Sequence, residues 1–364
     1  MKERSFQLDL LRTVAILLVV FFHFYINFSA IPLWNDVVYN GGLLGVNFFF
    51  VLSGMLISYP FVKESLASGK LYSIKNYSVN RLLRIIPLFW FITIINFLLK
   101  DNIRLYQMQP NGLSYSDLIK YLFFFSSKLD ILNPVIWTLR IEMLFYIIFP
   151  FLFYISLRWH SIFIKHAHFY TFLLMACFLA YRCIIIYNNK TLDNSDVINN
   201  LEGFFLGINL SFIVLTNNTN RFKIFFQVLT PIIGLLILVK LNQTIFQNSI
   251  WYYPFFKTGT NLCIFFLFIG LLRNQPKRLS KKLVQVISFI SMISYSLYLI
   301  HFNVYYSIVL PFLRKIYHSQ YVNIHVWGAL SLLITFLFSF ITYRVVEQPF
   351  LALKKRVLVT SESR

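Results

Sequence analysis

Apolar stretches of about the length of a membrane crossing recur along almost the whole chain. A helix needs about 20 mostly apolar residues to span a bilayer, and ten stretches approach that length: residues 6–29, 43–62, 82–99, 134–157, 169–187, 201–216, 224–241, 252–272, 284–310 and 324–346. Lipid offers the backbone no hydrogen bonds, so each crossing must satisfy its own N–H and C=O groups. The pattern therefore predicts an all-α integral membrane protein, a bundle of about ten transmembrane helices. Of 364 residues, 58% are hydrophobic and only 13% charged, which does not suit a soluble domain. No polar block is long enough for a second domain. Residues 1–350 read as one transmembrane domain, and 351–364 as a short basic cytoplasmic tail.

The connectors orient the bundle. With both termini cytoplasmic, the inner segments hold Lys63, Lys70, Lys75, Arg158, Lys165, Arg221, Lys223, Lys277, Arg278, Lys281 and Lys282. The outer ones hold Asp36, Asp101, Asp117, Asp130, Asp193 and Asp196. That asymmetry obeys the positive-inside rule. It also accounts for the net charge of +20 without nucleic acid as a partner. The N-terminal run after Lys2 and Arg4 is longer than a signal-peptide core and lacks an A-x-A cleavage site, so it reads as a retained first span. Cys177, Cys183 and Cys263 lie in apolar segments with no C-x-x-C spacing, which indicates neither a disulfide framework nor a zinc site.

Ionisable groups inside spans mark functional candidates. The first span carries Arg12 and His23. Eleven helical steps of about 100° bring both to one face, roughly 16 Å apart along the axis. Snorkelling to the inner headgroups would explain Arg12 alone, but not the pair. The fourth span carries Glu142, read as the only carboxylate well inside any span, at a depth similar to that of His23. A histidine and a carboxylate at one depth are the materials of a general base and its orienter. The structural alternative pairs Glu142 with Arg140 or Arg12. In the ninth span His301 follows a polar stripe of Ser294, Tyr295 and Tyr298 and reads as a hydrogen-bonded packing histidine.

Arg81 and Arg84 open the third span three residues apart, so they share a face. Two guanidiniums at a helix start suit phosphate, the alternative being plain topogenic charge. Arg344 and Glu347 end the tenth span one helical step apart and are expected to pair. Between the third and fourth spans, a short interfacial helix is expected with Ser116 as its N-cap. Gly45, Ser53 and Gly54 permit a close helix approach or a break in span two, and Gly203 and Gly207 form a small-xxx-small packing step. His160, His166 and His168 sit in a basic loop with no acid or cysteine to complete a metal site, so no metal is expected.

These pieces resemble the membrane-bound acyltransferase 3 family along nearly the whole chain. The stretches that carry the likeness are "LDLLRTVAILLVVFFH", "GVNFFFVLSGMLIS", "RLLRIIPLFW", "WTLRIEMLFY", "ISYSLYLIH" and "VVEQPF". The family's Arg-x10-His pattern is met by Arg12 and His23, and its Arg-x-x-Arg by Arg81 and Arg84. The resemblance implies a multi-pass protein of the bacterial plasma (inner) membrane. It would move an acetyl group from cytoplasmic acetyl-CoA to a hydroxyl of a glycan or lipid-linked glycan, such as lipopolysaccharide O-antigen. On that reading Arg81 and Arg84 hold the nucleotide head of the donor and the pantetheine arm passes Arg12. The thioester then reaches His23, with Glu142 orienting the imidazole; a covalent acetyl-enzyme is the other route.

Two departures stand out. Asn47 occupies a position where family members often carry Asp. The esterase-like domain that follows the membrane part in many relatives is not expected here, so transfer would finish within the membrane domain or on a partner. The rival class is a transporter or flippase, whose substrate path would also be lined with polar groups, although no inverted repeat is visible.

Overall fold

The computed structural model describes residues 5–25, 32–99, 113–125, 132–157, 167–188, 192, 195–216, 221–244, 251–273, 279–309, 311–312 and 324–353. Lys2, Arg4, Asp101, Asp130, Arg158, His160, Lys165, His166, Asp193, Lys277, Arg278 and the tail from 354 lie outside them, as do the side chains of Asp36, His168, Arg221 and Lys223. The helices are α1 (Phe6–Tyr25), α2 (Pro32–Ser68), α3 (Ile74–Leu98), α4 (Tyr115–Leu122), α5 (Ile136–Leu157), α6 (Ala167–Tyr187), α7 (Val197–Thr216), α8 (Arg221–Thr244), α9 (Tyr252–Arg273), α10 (Lys281–Asn303) and α11 (Ile324–Thr342). A π-helical turn, Val304–Val309, extends α10, and another, Tyr343–Glu347, extends α11.

Among the described residues nine helices are long and apolar enough to cross a membrane, and α8 adds a shorter apolar part, Val228–Leu241. Exposed apolar residues run at helical spacing where lipid would lie. On α5 they are Ile147, Phe151 and Ile155; on α11, Leu333, Leu337 and Ile341.

The chain forms two compact units. The first holds α1 up to Phe22, α2, most of α5, α6 to α9, and the start of α10. Its core joins Leu11 and Ala15 of α1, Val51 and Met55 of α2, Leu206 and Leu210 of α7, and Ile264 and Phe268 of α9. Lipid tails are as apolar as leucine, so helices in a membrane associate through close packing at small residues. Glycines provide it here. A Cβ on Gly54 would overlap the backbone of Phe204, and one on Gly207 would overlap the backbone of Val51 and Met55. Ser58 and Ser211 share a 2.7 Å hydrogen bond across the same α2–α7 contact. Gly45 lies against Ala15 and Val19 of α1. The glycines of α2 therefore permit approach, not a break, and the helix runs uninterrupted for 37 residues.

The second unit holds His23 onward in α1, α3, α4, the first turn of α5, and the chain from Met292. Ser73 caps α3 by accepting from the Asn76 amide at 3.3 Å. The helix thus begins at Ile74, and Arg81 and Arg84 lie two to three turns inside it. This corrects their expected place at a helix start, because the polar first turns of α3 escape a hydropathy reading. Helix α4 is capped by Ser114, not Ser116. Ser114 has an extended backbone, accepts from the Asp117 amide and donates its own amide to the Asp117 carboxylate, a reciprocal capping box. Ser116 is already inside the first turn. Trp90 of α3 donates its indole N–H to the Leu122 carbonyl at 3.0 Å, and Phe89 stacks on Phe124 with ring centres 4.5 Å apart.

Candidate functional site

In the second unit, three links hold the end of α10. The Tyr295 hydroxyl donates to the Ile85 carbonyl of α3 at 2.8 Å, and the Tyr298 hydroxyl to the Val135 carbonyl at 3.1 Å. Asn133 donates its amide to the Leu299 carbonyl at 2.8 Å. This frame carries His301, which is fully buried. Its Nδ1 lies 2.7 Å from the Tyr298 carbonyl oxygen and 3.1 Å from that of Leu297, and its Nε2 lies 3.1 Å from Nδ1 of His23. His23 also meets the edge of Phe302 at a ring-centre distance of 5.4 Å. The sequence marked both histidines but read His301 as packing. The contact that joins them spans 278 positions, and no spacing rule reaches that far.

Arg12 lies in the first unit. Its guanidinium is 3.6 Å from the buried carboxylate of Asp9, one turn earlier. Asp9 also accepts from Ser288 at 3.0 Å and Ser291 at 2.7 Å, both on α10. The i, i+3 spacing of Asp9 and Arg12 was legible. The two serines were not. Glu142, in the same unit, accepts hydrogen bonds from the hydroxyls of Ser53 and Tyr146, so it is held by hydroxyls. Asn47 is buried and its side-chain N–H group has no hydrogen-bond partner among the described residues.

Arg81 and Arg84, in the second unit, are half-buried. The Arg81 guanidinium lies 6.0 Å from the centre of the Tyr77 ring, and Arg84 interacts electrostatically with Glu347. Glu347 in turn accepts from Ser296 at 2.8 Å, while Arg344 donates to Gln348 at 3.0 Å. The expected Arg344–Glu347 pair is therefore corrected. The π turn that contains both residues alters the α-helical register which would have aligned them.

Glu142 is also not the only carboxylate inside a span. Asp9, Glu202 and Glu347 are all buried within helices. In the first unit, buried Arg182 of α6 donates to the Asn199 side chain at 2.8 Å, to Thr258 at 2.6 Å and to Glu202 at 2.7 Å. Asn261 donates to the same Glu202 oxygen at 2.7 Å, and Lys257 donates to Asn200 at 2.7 Å. Neighbouring asparagines made the Glu202 region read as a connector edge. Among the described residues no three His, Cys, Asp or Glu side chains gather as a metal site.

The sequence comparisons bear on this arrangement. The acyltransferase 3 family model, described as an acyltransferase domain, matches residues 6–344. The chain belongs to the acyltransferase 3 family. The O-acetyltransferase OatA of Staphylococcus aureus strain NCTC 8325 / PS 47 is 26% identical over 364 residues, covering 94% of this chain and 56% of that protein. OatA of strain COL matches with the same identity and coverage. The chain thus spans about half the length of the curated relatives it matches. No solved structure matches it. Among family motifs, the Arg-x10-His pair lies on α1 and the Arg-x-x-Arg pair within α3.

Proposed function

We propose that this protein transfers an acetyl group from acetyl-CoA at the cytoplasmic face to a hydroxyl of a glycan or lipid-linked glycan at the outer face of a bacterial plasma membrane. The observation that carries the reading is the hydrogen-bonded contact of His23 with buried His301, in a chain of the acyltransferase 3 family. A histidine held at such depth by another polar group suits general base catalysis. On this proposal residues 1–350 form the catalytic membrane domain, 351–364 a cytoplasmic tail, and both termini face the cytoplasm.

The donor is a phosphorylated thioester. Arg81 and Arg84 fit its head, because both are partly exposed and three residues apart on one helix, and guanidinium N–H groups match phosphate oxygens. Bound donor supplies the activated acyl carbon. His23 takes the proton of the acceptor hydroxyl. Arg12, already steadied by Asp9, and Glu142, steadied by two hydroxyls, are proposed to serve the same reaction.

The test is acetyl transfer from labelled acetyl-CoA in vesicles of purified protein, with mass spectrometry of surface glycans from cells with and without it. His23→Ala should lose transfer by ~10²-fold or more while donor binding persists. Movement of the acceptor without consumption of acetyl-CoA would instead identify a transporter.

A further inference from the structure

With His23 as the base, either of its two ring nitrogens could take the proton. A neutral imidazole has one N–H donor and one lone-pair acceptor, and the hydrogen bond made by one nitrogen fixes the role of the other. A carbonyl oxygen can only accept. The Nδ1 of His301 faces two carbonyls, those of Tyr298 and Leu297, so it carries the hydrogen. In the neutral ring Nε2 of His301 is then a lone pair, and it faces Nδ1 of His23 at 3.1 Å. In the neutral pair that contact needs a hydrogen on His23 Nδ1, and the remaining lone pair of His23 falls on Nε2.

We infer that His301 is a positioning residue that locks His23 in its Nδ1–H tautomer, so that Nε2 of His23 is the atom that accepts the acceptor's proton. This rests on the assignment of His23 as general base. The acceptor hydroxyl loses its proton to His23 Nε2 as its oxygen bonds to the thioester carbonyl carbon. The carbon–sulfur bond then breaks, and His23 Nε2 returns the proton to the departing sulfur, giving an ester and a free thiol. While His23 carries the proton, its Nδ1–H remains bound to the His301 lone pair, the role that a carboxylate fills in a hydrolase triad. The Tyr298 and Leu297 carbonyls hold the His301 ring, and Tyr295, Tyr298 and Asn133 fix the helix end that carries it.

Two measurements test this on the full-length protein in lipid nanodiscs. In 15N-histidine-labelled protein, the ring nitrogen without a hydrogen is identified from its shift and couplings. His23→Ala and His301→Ala spectra assign the signals. Both residues should carry hydrogen on Nδ1 and a lone pair on Nε2. Hydrogen on Nε2 of His23, or on both nitrogens of His301, overturns the inference.

The second measurement is kinetic. His301→Leu removes the acceptor, and kcat should fall by about 10²- to 10⁴-fold with the donor KM unchanged. His301→Gln offers an amide oxygen to the His23 Nδ1–H and should recover at least tenfold of that loss. Equal kcat in the two variants, or a wild-type kcat in His301→Leu, sinks the positioning role. Should His301→Leu not fold, the spectrum and the kcat of His301→Gln decide. Wild-type turnover in His23→Ala would instead remove His23 as the base, a result the His301 variants cannot imitate.

Discussion

Gly207 of α7 faces Gly54 of α2 so closely that a Cβ added to Gly207 would lie 2.8 Å from the Gly54 Cα. Neither backbone can yield without moving its helix. Gly207→Leu should therefore destabilise the first unit by more than the ~1–3 kcal/mol of ordinary overpacking. Gly69 is exposed, and a Cβ there meets nothing within 4 Å. Gly69→Asn should cost far less, since asparagine tolerates the positive φ of that position. Thermal unfolding in detergent reads both, and equal melting temperatures for the two variants would contradict the close contact.

The Arg182–Glu202 pair yields a double-mutant prediction. Removing one partner leaves a buried charge uncompensated, which costs roughly 3–5 kcal/mol, whereas replacing both with apolar residues is often nearly neutral. Arg182→Met and Glu202→Leu should each lower the melting temperature. The double variant should be more stable than either single one. Additive losses would show that the ion pair itself contributes little.

The proposed function assigns donor recognition to Arg81 and Arg84. Arg81→Ala and Arg84→Ala should each raise the acetyl-CoA dissociation constant by about tenfold to a hundredfold, the range expected for a hydrogen bond to a charged group. Arg84→Lys should also weaken binding, because an ammonium cannot replace a two-pronged contact. Unchanged donor affinity in folded variants would leave both arginines as topogenic charges.

His23→Gln separates a base from a packing group. An amide can form hydrogen bonds but cannot take up the proton, so transfer should stay as low as in His23→Ala. Near-normal transfer in His23→Gln would exclude the base assignment.

Orientation is open to chemical labelling. With Cys177, Cys183 and Cys263 replaced, Tyr115→Cys should react with an impermeant thiol reagent in intact cells. Lys70→Cys should react only after the membrane is opened. Both positions are exposed. Labelling of position 70 from outside would invert the topology.

The helices were legible because lipid demands long apolar runs, and that demand is local. Their starts were less so. The polar turns before Arg81 and the segment before Gly41 look like connectors by hydropathy, yet α3 and α2 extend through them. Arg12, His23, Glu142, Arg81 and Arg84 were visible as ionisable groups in or beside apolar surroundings. Their partners were less visible. Serines such as Ser288, Ser291 and Ser296 occur throughout spans, and only the fold decides which of them reaches a carboxylate. His301 was read as a hydrogen-bonded buried histidine, and it is one; that His23 is among its partners only the fold could show.

The buried cluster around Arg182 also bears on how the chain enters lipid. Arg182 and Glu202 lie on successive helices, α6 and α7, so the two can insert as one hairpin with opposite charges already joined. An isolated arginine at a helix centre opposes insertion by roughly 2.5–3.5 kcal/mol on biological scales. Inserting α6 and α7 together relieves that cost, whereas releasing α6 alone would not. Lys257 arrives later, on α9, and donates to Asn200 of α7, while Thr258 of α9 accepts from Arg182. A ribosome stalled between the two helices should thus hold α6 at the translocon until α7 emerges.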